Sequence, residues 1–67
     1  MMEIVVNGQI IEVEDGITVA DVIEAFSLSA KGTVVQRNGE MVERAEYGTV
    51  VIEQGDELEL VRFVGGG

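Results

Sequence analysis

The chain ends Phe63-Val64-Gly65-Gly66-Gly67, and these are the residues whose types and order could carry chemistry. Glycine has no Cβ, so such a segment can thread a narrow channel and take backbone angles that other residues avoid. A carboxylate on Gly67 would then stand without a bulky neighbour. A bare carboxylate is a poor electrophile. Transfer through it requires prior activation, most simply as an acyl adenylate made from ATP by another protein, with the covalent site at Gly67 and the machinery elsewhere. Terminal glycines are also ordinarily frayed, so the remainder of the chain has to decide between the two readings.

Composition removes most competing chemistry. With 67 residues, no Cys and no His, the chain has no side-chain thiolate, no disulfide and no imidazole, hence neither the usual near-neutral acid–base group nor the commonest metal ligands. No metal or bound cofactor is expected. A chain of this length buries only roughly 60% of the surface its unfolded form exposes, which allows one modest core and no deep internal site.

The charge is −9, from 4 Lys plus Arg against 13 Asp plus Glu. Binding of nucleic acid or an anionic membrane depends on basic side chains, so neither is an expected partner. A protein with a basic docking surface is. No stretch approaches the ~20 apolar residues of a membrane span, and the start MMEIVVNG is not a leader of the basic-then-apolar kind. The expected location is therefore cytoplasmic.

Positioning the tail falls to the elements before it. Met2 to Val6, Asn7-Gly8 and Gln9 to Val13 read as a hairpin, because Asn-Gly tolerates positive φ at both centres of a type I′ turn. Thr18 can cap a helix with Asp21 as a short capping-box acid. Val19, Val22, Ile23 and Phe26 then fall at helical spacing on one stripe. Thr33 to Arg37, Asn38-Gly39 and Glu40 to Val42 form a second hairpin. Glu43 to Thr49, which holds Tyr47, has room for one irregular helical turn. Val50-Val51-Ile52 and the Gln54-Gly55-Asp56 turn precede a last strand from Glu57 to Val64.

Strand, strand, helix, strand, strand and a closing strand define an α+β fold of the β-grasp, ubiquitin-like kind. It is a mixed four- to five-stranded sheet crossed by one main helix, with first and last strands adjacent. The domain is expected over residues 1–64 and a flexible glycine tail over 65–67. Ile4, Val6, Ile11, Val13, Val19, Val22, Ile23, Phe26, Leu58 and Leu60 are the expected core, with Phe26 the largest contributor. A glycine tail leaving the final strand of this fold, with no Ser, Lys or affinity-tag residue after it, favours the functional reading over simple fraying.

On the last strand Val61 and Phe63 share a face with Glu57 and Glu59, opposite Leu58 and Leu60, and Val5 joins them if the first strand lies alongside. Val5, Val61, Arg62, Phe63 and Val64 are the expected docking residues, and Gly65 and Gly66 the segment entering a partner's active site. Phe63 can instead fold back as edge packing, and Arg62 can pair with a strand neighbour or with an acid on the partner. The acids Glu14, Asp15, Glu40, Glu43, Glu46, Glu53, Asp56, Glu57 and Glu59 lack metal-loop spacing and are expected to steer a basic partner.

From MEIVVNG through GITVADVIEAF and QGDELELV to the closing VGGG, the whole chain resembles the ThiS family of sulfur carriers in thiamine thiazole biosynthesis. The resemblance implies a C-terminal thiocarboxylate on the Gly-Gly end, here Gly66 and Gly67, with Gly65 one glycine beyond the minimal pattern. It implies three partners. An E1-like adenylyltransferase of the ThiF type would activate Gly67 with ATP and Mg²⁺, a cysteine desulfurase would supply the persulfide, and a ThiG-type thiazole synthase would receive the sulfur. The chain would be a carrier, not an enzyme. The alternatives are a carrier like the small subunit of molybdopterin synthase, a ubiquitin-like modifier that passes the acyl group to lysine, and a ubiquitin-like binding module without sulfur chemistry.

Overall fold

The computed structural model describes residues 1–62. The expectations placed on Phe63, Val64, Gly65, Gly66 and Gly67, and the boundary at residue 64, lie outside them. Both Asn-Gly pairs form the turns their chemistry favours. Asn7 and Gly8 have φ of 50° and 85°, and Asn38 and Gly39 have 53° and 86°, the left-handed pair that a type I′ turn needs. They join β1 (Met2–Val6) to β2 (Gln9–Val13) and β3 (Thr33–Arg37) to β4 (Glu40–Val42).

The final strand, β5 (Glu57–Arg62), enters between the two hairpins and gives a five-stranded sheet in the order β2-β1-β5-β3-β4. It runs parallel to β1, with Val5 opposite Glu57 and Val6 opposite Leu58, and antiparallel to β3, with Val35 opposite Leu60 and Thr33 opposite Arg62. The expected adjacency of first and last strands is thus observed, in a β-grasp arrangement.

The helix α1 (Val19–Ala25) opens on the expected reciprocal cap. The Asp21 N–H donates to the Thr18 hydroxyl at 3.3 Å and the Thr18 N–H to the Asp21 carboxylate at 2.9 Å. At seven residues it is far too short to be stable alone, so it depends on burying Val19, Val22 and Ile23 against Ile4, Val6, Val35, Leu58 and Leu60 of the sheet.

One core assignment is overturned. Phe26 is 36% exposed, because α1 stops at Ala25 and Phe26 is its C-cap, after which Ser27 turns left-handed with φ of 59°. The stripe's fourth member therefore falls past the end of the element whose period placed it inside. Ile11 and Val13 pack on the core margin and are only partly buried.

In place of Phe26 the core takes residues from the least regular part of the chain. Ile52 is 2% and Tyr47 4% exposed, and Met2 and Val35 are also buried. Tyr47 follows a 3₁₀ turn over Arg44–Glu46, the irregular turn expected there. Its hydroxyl donates to the Thr33 carbonyl at 2.8 Å, which satisfies its one polar atom inside the core. The Ile52 N–H donates to the Ile17 carbonyl at 2.9 Å, and the Val19 N–H to Val50 at 3.0 Å, so the 50–52 segment is stitched to the entry of α1. The Thr33 hydroxyl finds no hydrogen-bond partner among the described residues.

Candidate functional site

β5 is the strand that leads to the glycine run, and what holds it decides where that run starts. On the β1 side the ladder includes Val5 N–H to the Asp56 carbonyl and Asn7 N–H to the Leu58 carbonyl, both 2.9 Å. β1 ends at Val6, yet the pairing goes one step further through a side chain. The Asn7 Oδ1 accepts from the Leu60 N–H at 2.9 Å, and its Nδ2 lies 3.4 Å from the Leu60 carbonyl. The carboxamide stands in for one more peptide unit.

Asn38 does the corresponding work at the start of β5. Its N–H donates to the Glu57 carbonyl at 2.7 Å, its Oδ1 accepts from the Glu57 N–H at 2.9 Å, and its Nδ2 donates to Asp56 at 3.0 Å. Each turn asparagine therefore serves twice, by tolerating positive φ and by gripping β5 from opposite sides. Only the first role is visible in the sequence, since the turn fully accounts for the Asn-Gly signal.

Asp56 is the third fixture. Its buried carboxylate accepts from Arg37 Nε at 2.8 Å, from the Glu53 N–H at 2.8 Å and from Asn38. Burial by itself raises its pKa. The hydrogen bonds from Glu53, Asn38 and Arg37 and the guanidinium charge outweigh it and hold the carboxyl below its ordinary value. A carboxyl depressed in the folded state contributes stability that is complete above its unfolded pKa and disappears as pH falls through the folded one. The stability difference between the parent and Asp56→Asn is accordingly expected to be greatest near neutrality and to shrink between roughly pH 5 and pH 2, read from urea denaturation at each pH. A constant difference would mean that the carboxylate charge contributes nothing.

The helix covers one face of the sheet, and among the described residues the other is left open. On the open face Val5 is half-buried and Val61 is 51% exposed, with Glu57 and Glu59 between them along β5. Val5 is opposite Glu57 in register, which puts Val61 four positions further on, about 13 Å away at the usual strand rise. The two are brought to one face, as expected, but not into one patch. Val61 instead neighbours Val34 on β3.

Between the two turns the face dips into a shallow concavity of about 390 Å³, bounded by Gly8 and Gly39 and lined by Val5, Gln36, Glu57 and Glu59. Its acid lining suits a basic partner group. Arg62 is exposed, and among the described residues no carboxylate lies within ion-pairing distance of it. No cluster of three acids able to hold a metal ion occurs among the described residues, nor is any described helix long and apolar enough to cross a membrane.

A β-grasp sheet around a single helix, its last strand clamped from both sides and leading into glycines, defines a ubiquitin-like domain. The ThiS family model matches residues 1–67, and the chain belongs to the ThiS family. The sulfur carrier protein ThiS of Bacillus subtilis is 36% identical over 50 residues, covering 75% of this chain and 76% of that one. A thiazole synthase of Magnetococcus marinus is 35% identical over 66 residues, 98% of this chain, and one of Paramagnetospirillum magneticum is 33% identical over the same length. The chain spans only 20% of the length of each of these two. In structure it is similar to the thiamine biosynthesis protein ThiS of Geobacter metallireducens, with a TM-score of 0.82 at 30% identity over 98% of this chain and all of the other.

Proposed function

We propose that this protein carries sulfur as a thiocarboxylate on Gly67 and donates it to a thiazole synthase in thiamine biosynthesis. The observation that supports this most is the family match running through Gly66 and Gly67. Two relatives named thiazole synthase contain a segment similar to this chain within a longer polypeptide, a physical linkage that fits a donor and its acceptor working together. The protein is then a substrate of enzymes and not one itself.

In the proposed sequence an E1-like adenylyltransferase joins the Gly67 carboxylate to AMP, with Mg²⁺-bound ATP losing pyrophosphate. A persulfide, supplied by a cysteine desulfurase, attacks the acyl carbon through its outer sulfur and expels AMP. A second thiol cleaves the resulting S–S bond, leaving the thiocarboxylate and a disulfide. Gly65 and Gly66 give the acyl end its reach. Val5, Val61 and Arg62 on or beside the open face, with Phe63 and Val64 beyond them, supply docking contacts, and the clamp from Asn7, Asn38 and Asp56 sets the direction in which the chain leaves the sheet.

Intact mass spectrometry of the protein from its native cells tests the reading. A fraction ending at Gly67 with one oxygen replaced by sulfur is expected. A Gly67–lysine isopeptide would favour a modifier instead, and a free acid under all sulfur conditions would favour a binding module.

The charge of −9 has a kinetic consequence. Association with the adenylyltransferase should slow by roughly tenfold or more as salt rises from about 0.1 M to about 1 M and the Debye length falls from about 10 Å to about 3 Å, while dissociation changes less. Stopped-flow binding reads both rates. An on-rate indifferent to salt would assign the encounter to apolar contacts.

A further inference from the structure

The open face is not the only unfilled surface. Between β2 and α1 runs a second groove of about 190 Å³, walled by Ile11 and Val13 on one side and by Val22, Ala25 and Phe26 on the other. The displaced Phe26 acquires a role here. An aromatic ring left over a third exposed at a helix end is costly to leave in water, and this one forms the end of an apolar trough.

The groove adjoins a free strand edge. The Val5 N–H bonds to the Asp56 carbonyl just before β5, and Glu3 bonds to the residues preceding that, accepting from the Gly55 N–H at 2.8 Å and donating to the Gln54 side chain at 3.0 Å. Val5 and Glu3 therefore turn their backbone groups away from β2, and their partners Ile10 and Glu12 turn theirs outward in the alternation of an antiparallel pair. β2 is an outer strand of the sheet, so among the described residues the N–H and C=O of Ile10 and Glu12 are left available to another chain. An added strand would hydrogen-bond there, and every second side chain would drop into the trough.

Charge selects what is added. Glu14 and Asp21 rim the groove, and Glu12, Asp15 and Glu24 lie on the same two elements or between them. No Lys or Arg occurs anywhere from residue 9 to residue 26. A second copy of this chain would bring Glu12 and its acidic neighbours close to their own kind, which is unfavourable across a strand pair. A segment with aliphatic residues at alternate positions, flanked by lysine or arginine, meets both the trough and its rim.

We propose that the β2–α1 groove is a docking site for such an extended, basic-flanked segment of a partner protein, added as a strand to β2. It is on a different flank from the open face, so both can be occupied together, and it is independent of any chemistry at Gly67.

The test uses the full ¹⁵N-labelled chain and an acetylated, amidated peptide Lys-Thr-Val-Thr-Ile-Thr-Val-Thr-Lys, with a control in which Glu replaces both Lys. Saturable amide shifts are expected at residues 9–13 and 22–26, together with slowed hydrogen exchange at Ile10 and Glu12. The Glu-flanked control should bind about tenfold more weakly or less, as expected when rim charges turn repulsive. Phe26→Ser and the exposed Ala25→Glu should each weaken binding by about tenfold, the scale of losing one anchoring contact, with the shifts of the β3–β4 hairpin unchanged to show an intact fold. Shifts centred on Val5, Glu57, Glu59 and Val61, equal binding of both peptides, undiminished binding by both variants, or no saturable shift would each overturn the proposal. So would a concentration-dependent dimer through β2, read by sedimentation.

Discussion

A chain extended by one residue beyond Gly67 is expected to take up no sulfur when incubated with the adenylyltransferase, ATP, Mg²⁺ and a persulfide source, whereas the parent gains sulfur on its C-terminal peptide alone. The extension turns the Gly67 carboxylate into an amide, whose carbonyl resists adenylation, and moves the new carboxylate one residue past the position the partner holds. Proximity is worth several orders of magnitude in such a step, and a displacement of even about 1 Å can cost about a hundredfold. One residue of extended chain is over 3 Å. Gly67→Ala should impair activation less completely, by setting a methyl group beside the reacting carbonyl. Neither change should move the melting temperature, because neither touches a core residue found among the described residues 1–62. Sulfur on the extended chain, or on any internal peptide of the parent, would rule out the proposed carrier chemistry.

How far the fold could be read beforehand depended on whether a residue's position was set locally or from a distance. The hairpins were legible because Asn7-Gly8 and Asn38-Gly39 encode their own turns through backbone sterics. The helix start was legible for the same reason, since Thr18 and Asp21 satisfy each other within one turn. Its end was not. Nothing between Ala25 and Ser27 announces a stop, and carrying the period onward put Phe26 inside.

Tyr47 and Ile52 illustrate the converse. They lie in a stretch with no helical or strand period, so periodicity gave no reason to bury them, and they are placed by contacts with Thr33 and Ile17, 14 and 35 positions away respectively, that no local pattern encodes. Of the site, the face shared by Val5 and Val61 followed from alternation and the parallel pairing, while the 13 Å or so between them followed only from register. The clamp on β5 by Asn7, Asn38 and Asp56 was hidden behind turn signals that already had a sufficient explanation.

Core substitutions turn that difference into a measurement. Ile52→Ala is expected to cost about 2–5 kcal/mol, the range for a large-to-small change at a fully buried aliphatic site. Ile52 is 2% exposed and its neighbours are fixed by the bonds from Ile52 to Ile17 and from Val19 to Val50, so the cavity has little freedom to collapse. Phe26→Ala removes more atoms but, at 36% exposure, should cost only about 1–2 kcal/mol on the area it shields from water. At about 4–8 °C per kcal/mol for a domain of this size, Ile52→Ala should melt at least about 8 °C below the parent and clearly below Phe26→Ala, followed by circular dichroism. The opposite order would place the stabilising contacts at the C-terminal end of α1, and the irregular 50–52 segment would then be a cover over the core and not part of it.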